Sequence, residues 1–464
     1  MTASPTSIPR PHCESPLKGV RGQILTFKAD PFLVNSPEDT YDYWEDGIVV
    51  IQDGMILAVG DHKTISEKYP GLHDVDTYTD CIIMPGFIDT HTHYVQSPMI
   101  GSCGDTLLEW LNRYTFPTES RFSDKAFADE VARIFFRQIL SQGTTTANVF
   151  ATTFAESVDA LFEESERYNA RTITGKVLQD RNLPEALRDR DAESSIMISE
   201  DLMRKWHRRG RQLYAIIPRF APTSTNEQLR LAGKLYRDNM SDGVYLHTHL
   251  DEAESEIQWV KELFPDARNY TDVYRSFGLV DRMSVFAHCC IVSREEWQTL
   301  HDNDCGVAHC PSSNLFLGDG EFRFWEAKDP ARPCHVGIGT DVGGGTNFSI
   351  PRQLNEAYKV AMLRSRSLDA MRSFYLATRG AAEVLHLEER IGSLRAGHEA
   401  DLAVLDLKPT EFIGWRMQFA GNIFERLFIL QTLATDNMNR ATYVAGKKVY
   451  DRDREIPFMY AAGI

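Results

Sequence analysis

A chain of 464 residues with 42% hydrophobic and 25% charged residues carries enough apolar mass for one large domain and a smaller one. Its formal net charge of -16 is spread without blocks, which argues against nucleic acid as a partner, because such binding needs basic surface to displace counterions. No apolar run has the length needed to cross a bilayer, so no membrane partner is expected, and a small neutral or weakly charged substrate fits the composition better.

The first sixteen residues, MTASPTSIPRPHCESP, are rich in Pro, Ser and Thr and lack the apolar stretch of a secretory signal, so residues 1–16 read as a flexible tail. From Leu17 to about Met84 come short β segments broken by turns: RGQILTF, then GIVVIQDGMILAVG with Asp53-Gly54 as a hairpin signal, then DCIIMP. Past Pro85 the texture changes. Short apolar strands alternate with longer helical stretches, the pattern of parallel β/α units.

Eight candidate strands follow in order: GFIDTHTH, Gly143–Phe150, Thr172–Gln179, Leu213–Phe220, Gly243–Leu250, Met283–Cys290, Gly306–Ser313 and His335–Val342. Between them, SDKAFADEVARIFFRQILSQG reads as a helix capped by Ser123, and TNEQLRLAGKLYRDNM as one that starts at Thr225. Eight such units suit a (β/α)8 barrel over 85–390, a fold that places its chemistry at the C-terminal ends of the strands. After further helical texture in SLDAMRSFYLATRGAAEVLHL, the chain returns to β texture in GSLRAGHEADLAVLDL and ATYVAGKKVYDR. Residues 17–84 and 391–464 are therefore expected to form one discontinuous β-sandwich domain, and the fold class to be α/β. The eight cysteines show no C-x-x-C pair and no disulfide-like spacing, so most read as buried small hydrophobes in a reducing, cytoplasmic compartment.

Four of the strands end in residues that ligate metals. In PGFIDTHTHYVQ, His91 and His93 lie one residue apart, which on an extended strand puts both on one face about 7 Å apart. His249, His288 and Asp341 close three later strands. Each has a plainer reading, as a strand-end histidine, a satisfied core histidine and a turn-capping carboxylate. Their recurrence at matching positions instead points to one divalent ion with an open position for water, whose pKa zinc lowers to about 7. Zinc and iron both accept this ligand set. Within HTHLDE, His247 and His249 share a face and His249 lies nearer the strand end. Glu252, three residues on, can shuttle a proton beside the metal without ligating it, with Asp251 and Glu254 as rivals of solvent-facing type.

These motifs resemble the amidohydrolase superfamily, in its mononuclear metal-dependent deaminase branch. PGFIDTHTH, the H-x-x-E of His249 and Glu252, AHC with His288 and GTD with Asp341 carry that likeness. GDTLLEWLNRYTFPTE (Gly104 to Glu119), PRFAPT, HCPSSNLFLGDG and GTDVGGGTNFS are similar to guanine deaminases in particular, and less so to cytosine, adenosylhomocysteine or triazine relatives. The resemblance covers nearly the whole chain. It implies hydrolysis of guanine to xanthine and ammonia in purine catabolism, by a homodimer with one zinc, or iron, per subunit. It further implies His91, His93, His249 and Asp341 as ligands, with His288 polarising the water or acting as a further ligand. Glu252 would be the proton shuttle, aided by His288 and Asp341. Gln96, Arg219 and Phe220 would bind the base, beside His93, Glu252 and Asp341. Binuclear members bridge two metals with a modified lysine at the end of strand four. LYAIIPRF has Arg219 there, so a single metal is expected. The aromatic segment DTLLEWLNRYTFPTESRF has three readings, pocket lining, subunit interface or, as for most such stretches, core.

Overall fold

The computed structural model describes residues 16–34, 36–104 and 107–454. Apart from Pro16, the expected tail lies outside them. Among the described residues no helix is long and apolar enough to cross a membrane.

The chain starts as a sheet. Strands β1 (Lys18–Phe27), β2 (Tyr41–Gln52), β3 (Met55–Asp61) and β4 (Asp74–Pro85) come first. Asp53 and Gly54 link β2 to β3 with φ of 51° and 79°, the left-handed pair that a two-residue hairpin turn requires. Strand β1 pairs antiparallel with β2 and parallel with β4. The other edge of β4 receives β14 (Leu402–Asp406), followed by β15 (Asn439–Val444) and β16 (Lys447–Asp451), so both chain ends build one seven-stranded sheet. Val20, Ile24, Val49 and Ile51 share a buried cluster with Leu402, Val404, Ala441 and Tyr443 from the far side of β4. The sheet thus curls until its two halves face each other. Two helices the sequence pattern did not separate, Glu411–Met417 and Ile423–Thr432, lie between β14 and β15.

The barrel occupies the middle of the chain. Its staves are β5 (Phe87–His93), β6 (Thr144–Phe150), β7 (Arg171–Gly175) with its short continuation β8 (Val177–Leu178), β9 (Leu213–Pro218), β10 (Tyr245–Leu250), β11 (Ser284–His288), β12 (Gly306–His309) and β13 (His335–Ile338). Neighbours pair in parallel in that order. Closure comes from just beyond β13, where Thr340 N donates to Asp89 Oδ1 (3.0 Å) and Asp341 N to His91 O (2.9 Å). The barrel is a packed core: Ile88, Ile173, Ile217, Tyr245 and Val285 form one buried cluster with Ala381 and Leu385, contributed by helix Arg379–Val384 and the residue that ends it.

All eight expected strands are present, but several are shorter than expected. Arg219 and Phe220 lie past the end of β9, and Pro311 starts a helix where a strand was expected. At other strand ends Asp251, His288 and Asp341 adopt left-handed φ of 50°, 71° and 47°, which turns the chain over the barrel mouth, and Pro311, with no N–H to give a ladder, opens its helix instead. Helix Lys125–Ser141 is capped by Asp124, whose carboxylate accepts from Ala126 N at 2.9 Å, and not by Ser123, whose hydroxyl donates backward to Ser120 O. A carboxylate there both accepts the free amide and complements the helix dipole. Thr225 caps its helix as expected, accepting from Gln228 N at 3.2 Å. Below the barrel, Arg171 and Arg211 reach Glu399 and Asp401 in a buried ion-pair group that ties the barrel to the segment leading into β14.

Candidate active site

At the C-terminal mouth of the barrel, histidines from three staves meet one carboxylate. His91 and His93 project from alternate positions of β5, with Nε2 atoms 3.2 Å and 3.4 Å from Asp341 Oδ1. His93 Nε2 lies 3.2 Å from His249 Nε2. His288 Nε2 sits 3.8 Å from Asp341 Oδ2 and 3.5 Å from Glu252 Oε1. All of these side chains are buried.

The far nitrogens of the His91, His249 and His288 rings are tied down, and for His249 and His288 that fixes which lone pair faces the centre. His249 Nδ1 donates to the main-chain carbonyl of Arg219 at 2.7 Å, and His288 Nδ1 donates to Asn314 Oδ1 at 2.8 Å. Both Nε2 atoms are therefore left as acceptors. His91 Nδ1 pairs with His247 Nε2 at 2.8 Å, so His247 supports His91 from behind while His249 faces the centre, as its place nearer the strand end suggested. Burial holds the His93 and His249 rings well below their usual pKa, hence neutral and able to ligate. Burial pushes the other way on Asp341, but the neighbouring His91, His288 and His93 outweigh it and hold its carboxyl well below the usual range.

The donor set fits a divalent ion. His91 Nε2 and His288 Nε2 are buried with no hydrogen-bond partner among the described residues, a costly state that coordination would relieve. The donor atoms of His91, His93 and His249 lie within 4.8 Å of one another, and so do those of His91, His288, Cys310 and Asp341. Cys310 is a residue the sequence reading passed over, because cysteines without paired spacing were taken as core. Asn314 and Asp89 were also missed. Asp89 receives hydrogen bonds from Thr340 and His91, and burial against those bonds pushes its carboxyl up to about 7. Both act on other side chains through tertiary contacts that spacing cannot reveal.

Of the three acids after His249, Glu252 alone closes on the centre. Burial, then Glu256 and Asp341, push its carboxyl well above the usual carboxylate range. Its amide donates to Glu256 Oε2 at 3.0 Å. Asp319 adds a further carboxyl beside Glu252, raised to about 9 by burial and by Glu252 itself. Asp251 turns into a separate cleft with Glu296, and Glu254 is exposed at the start of a helix.

A cleft opens over these groups, lined by His93, Gln96, Trp110, Leu111, Arg219, Phe220, His249, Glu252, Leu317, Asp341 and Gly344. Its mixed apolar and polar lining suits a small planar ligand. Every residue expected to hold the base thus faces the same space as the metal-type set. Arg219 Nη1 donates to both oxygens of Glu119 (3.0 and 2.8 Å), and Gln96 Nε2 donates to Glu119 Oε1 (3.0 Å). Glu119 lies in the aromatic segment left open above. The described part of that segment passes the cleft in a wide π-helical turn, Leu111–Thr115, with Trp110 and Leu111 on the cleft wall and the Phe116 ring 5.8 Å from the Arg219 guanidinium.

Residues 82–449 match the model of the amidohydrolase family. The chain is 43% identical over 446 residues to the guanine deaminase of Escherichia coli K12, covering 95% of this chain and 99% of that protein. Among solved structures, guanine deaminase from Bradyrhizobium japonicum is 33% identical with a TM-score of 0.90, covering 94% of this chain and 99% of that one. Guanine deaminase from C. acetobutylicum with bound guanine in the active site is 27% identical with a TM-score of 0.84, covering 94% and 100%. By its sequence, its barrel and the histidine–aspartate group at the barrel mouth, the chain belongs to the amidohydrolase family.

Proposed function

We propose that this protein hydrolyses guanine to xanthine and ammonia. The observation that carries the reading is one cleft uniting Glu252 and the histidine–aspartate group with Gln96 and Arg219, in a chain similar to guanine deaminases over 95% of its length. His91, His93, His249 and Asp341 are the residues to hold a single zinc or iron ion, with His288 beside them. Such an ion supplies Lewis acidity that lowers the pKa of a water to about 7.

The side chains supply the rest. Arg219 and Gln96 orient the base so that the carbon bearing its exocyclic amine faces Glu252, and Phe220 packs beside it. Glu252 accepts a proton from the attacking water, with Asp341 and His288 orienting that water. It then delivers the proton to the ring nitrogen next to the carbon under attack, and proton transfer to the amine lets ammonia leave. Glu252 is placed for this by geometry: its buried carboxyl lies 3.5 Å from His288 Nε2 and lines the same cleft as Gln96 and Arg219. A cytoplasmic homodimer acting in purine catabolism belongs to the same reading, and its support is the likeness to guanine deaminases.

The test is ammonia release from guanine, 8-oxoguanine, adenine and cytosine, with metal quantified on the same sample. Guanine is expected to be turned over fastest at about one metal per chain, and chelation to abolish release until zinc or iron is restored. A metal-loaded protein that releases no ammonia from guanine would sink the reading.

A further inference from the structure

We propose that Glu119 is a positioning residue that sets the donor and acceptor polarity of the base-binding wall. The inference rests on the functional reading above and deepens it.

Glu119 is fully buried and, as a carboxylate, can only accept hydrogen bonds. Two donors converge on it from different elements: Arg219 Nη1, just past β9, and Gln96 Nε2, in the turn Tyr94–Met99 that follows β5. A carboxamide whose nitrogen end is held by a carboxylate cannot flip without turning its oxygen toward negative charge. Gln96 Oε1 is thereby kept at the opposite end, against the backbone of Gly343, where even a Cβ would come within 2.0 Å of it. Gly343 has φ of 119°, so glycine suits that backbone as well as that contact. Arg219 spends Nη1 on Glu119, and its other guanidinium nitrogens remain donors because Arg does not deprotonate.

The wall thus offers donors from Arg219 beside an acceptor from Gln96. That order complements a lactam edge, where a carbonyl oxygen accepts and the adjacent ring N–H donates. It is mismatched to an edge whose ring nitrogen is an acceptor. Among the described residues Glu119 is the one hydrogen-bond partner of the Gln96 amide, and a site that leaves buried polar groups unpaired discriminates through that penalty. The substrate class selected is therefore a 2-amino-6-oxopurine over a 2-aminopurine lacking the 6-oxo group.

A plainer role, neutralising a buried guanidinium, is separable by measurement. Both guanine and 2-aminopurine carry the amine at the same carbon, and each can release only that one ammonia. In Glu119→Gln the side chain can donate as well as accept, so Gln96 is free to invert. We expect kcat/KM for guanine to fall about 10- to 100-fold, mostly through KM, and the guanine to 2-aminopurine ratio to fall at least about tenfold, with metal content unchanged. Glu119→Asp, which keeps the carboxylate, should retain more of the ratio than Glu119→Gln. Equal losses on both substrates, leaving the ratio fixed, would reduce Glu119 to charge balance and overturn the proposal. Should Glu119→Gln fail to fold, Gln96→Leu leaves the Arg219–Glu119 pair in place and must lower the same ratio; an unmoved ratio there overturns it equally. A wild-type protein inactive on guanine would remove the functional reading and this inference with it, whereas turnover with an unmoved ratio removes the inference alone.

Discussion

The two sides of the cleft are built differently. On the metal-type side, His91, His93, His249 and His288 belong to the buried strands β5, β10 and β11, of which β10 and β11 are paired on both flanks and β5 with β6, and Asp341 follows β13 with its amide bound to His91 O. On the base side, Gln96, Trp110, Leu111, Glu119, Arg219 and Phe220 come from a 3-10 turn, a π-helical turn, the single α-helical turns on either side of it and the residues past a strand end. Strands hold a donor set to the narrow geometry a metal demands, whereas irregular segments can be reshaped to fit another base while the barrel stays fixed. The metal-type side should therefore respond to substitution in an all-or-none way, and the base side in a graded way that depends on substrate.

On the base side a large effect is expected at Arg219. Arg219→Lys replaces a planar guanidinium, whose Nη1 alone donates to both oxygens of Glu119 while its other nitrogens stay available as donors, by one point donor, so guanine kcat/KM should drop about 10- to 100-fold, with metal content at the wild-type level. Steady-state kinetics beside metal analysis checks it. A parallel loss of metal would mean the two sides are not separable.

A smaller effect is expected at His309, which ends β12 at the level of the other strand-end histidines but stacks on Phe322, ring centroids 4.4 Å apart, with neither ring nitrogen partnered among the described residues. Burial, then His288, bring its pKa down to about 3. Unfolded, the ring titrates at about 6.5. Between those values the unfolded chain binds a proton there that the folded one refuses, so stability falls as pH drops through that window. His309→Leu should flatten the dependence of the thermal midpoint on pH between about 6.5 and 4, relative to wild type, and change its slope little above about pH 7. An unchanged acid slope would place His309 outside the acid sensitivity of the fold.

The same division explains what the sequence made legible. His91, His93, His249, His288 and Asp341 could be found because strand periodicity and barrel topology send strand ends to one place. Gln96, Arg219 and Phe220 came only through resemblance to a family, since an Arg after a Pro at a strand end reads equally well as surface. Glu119 and Asn314 carried no signal of their own: Glu119 lies 100 residues from Arg219, and Asn314 26 residues from His288. Strand ends were overrun and Asp124 was passed over as a cap for a related reason. Left-handed residues and caps depend on local geometry that apolar periodicity does not encode.

The most direct test of the account is ammonia release from guanine by Glu252→Gln, with metal measured on the same protein. The substituted carboxamide keeps the shape of the carboxyl and loses its proton exchange, so the prediction is wild-type metal content with turnover reduced at least about 10²- to 10⁴-fold. Metal-loaded Glu252→Gln that releases ammonia at the wild-type rate would contradict the assignment of Glu252 as the proton carrier.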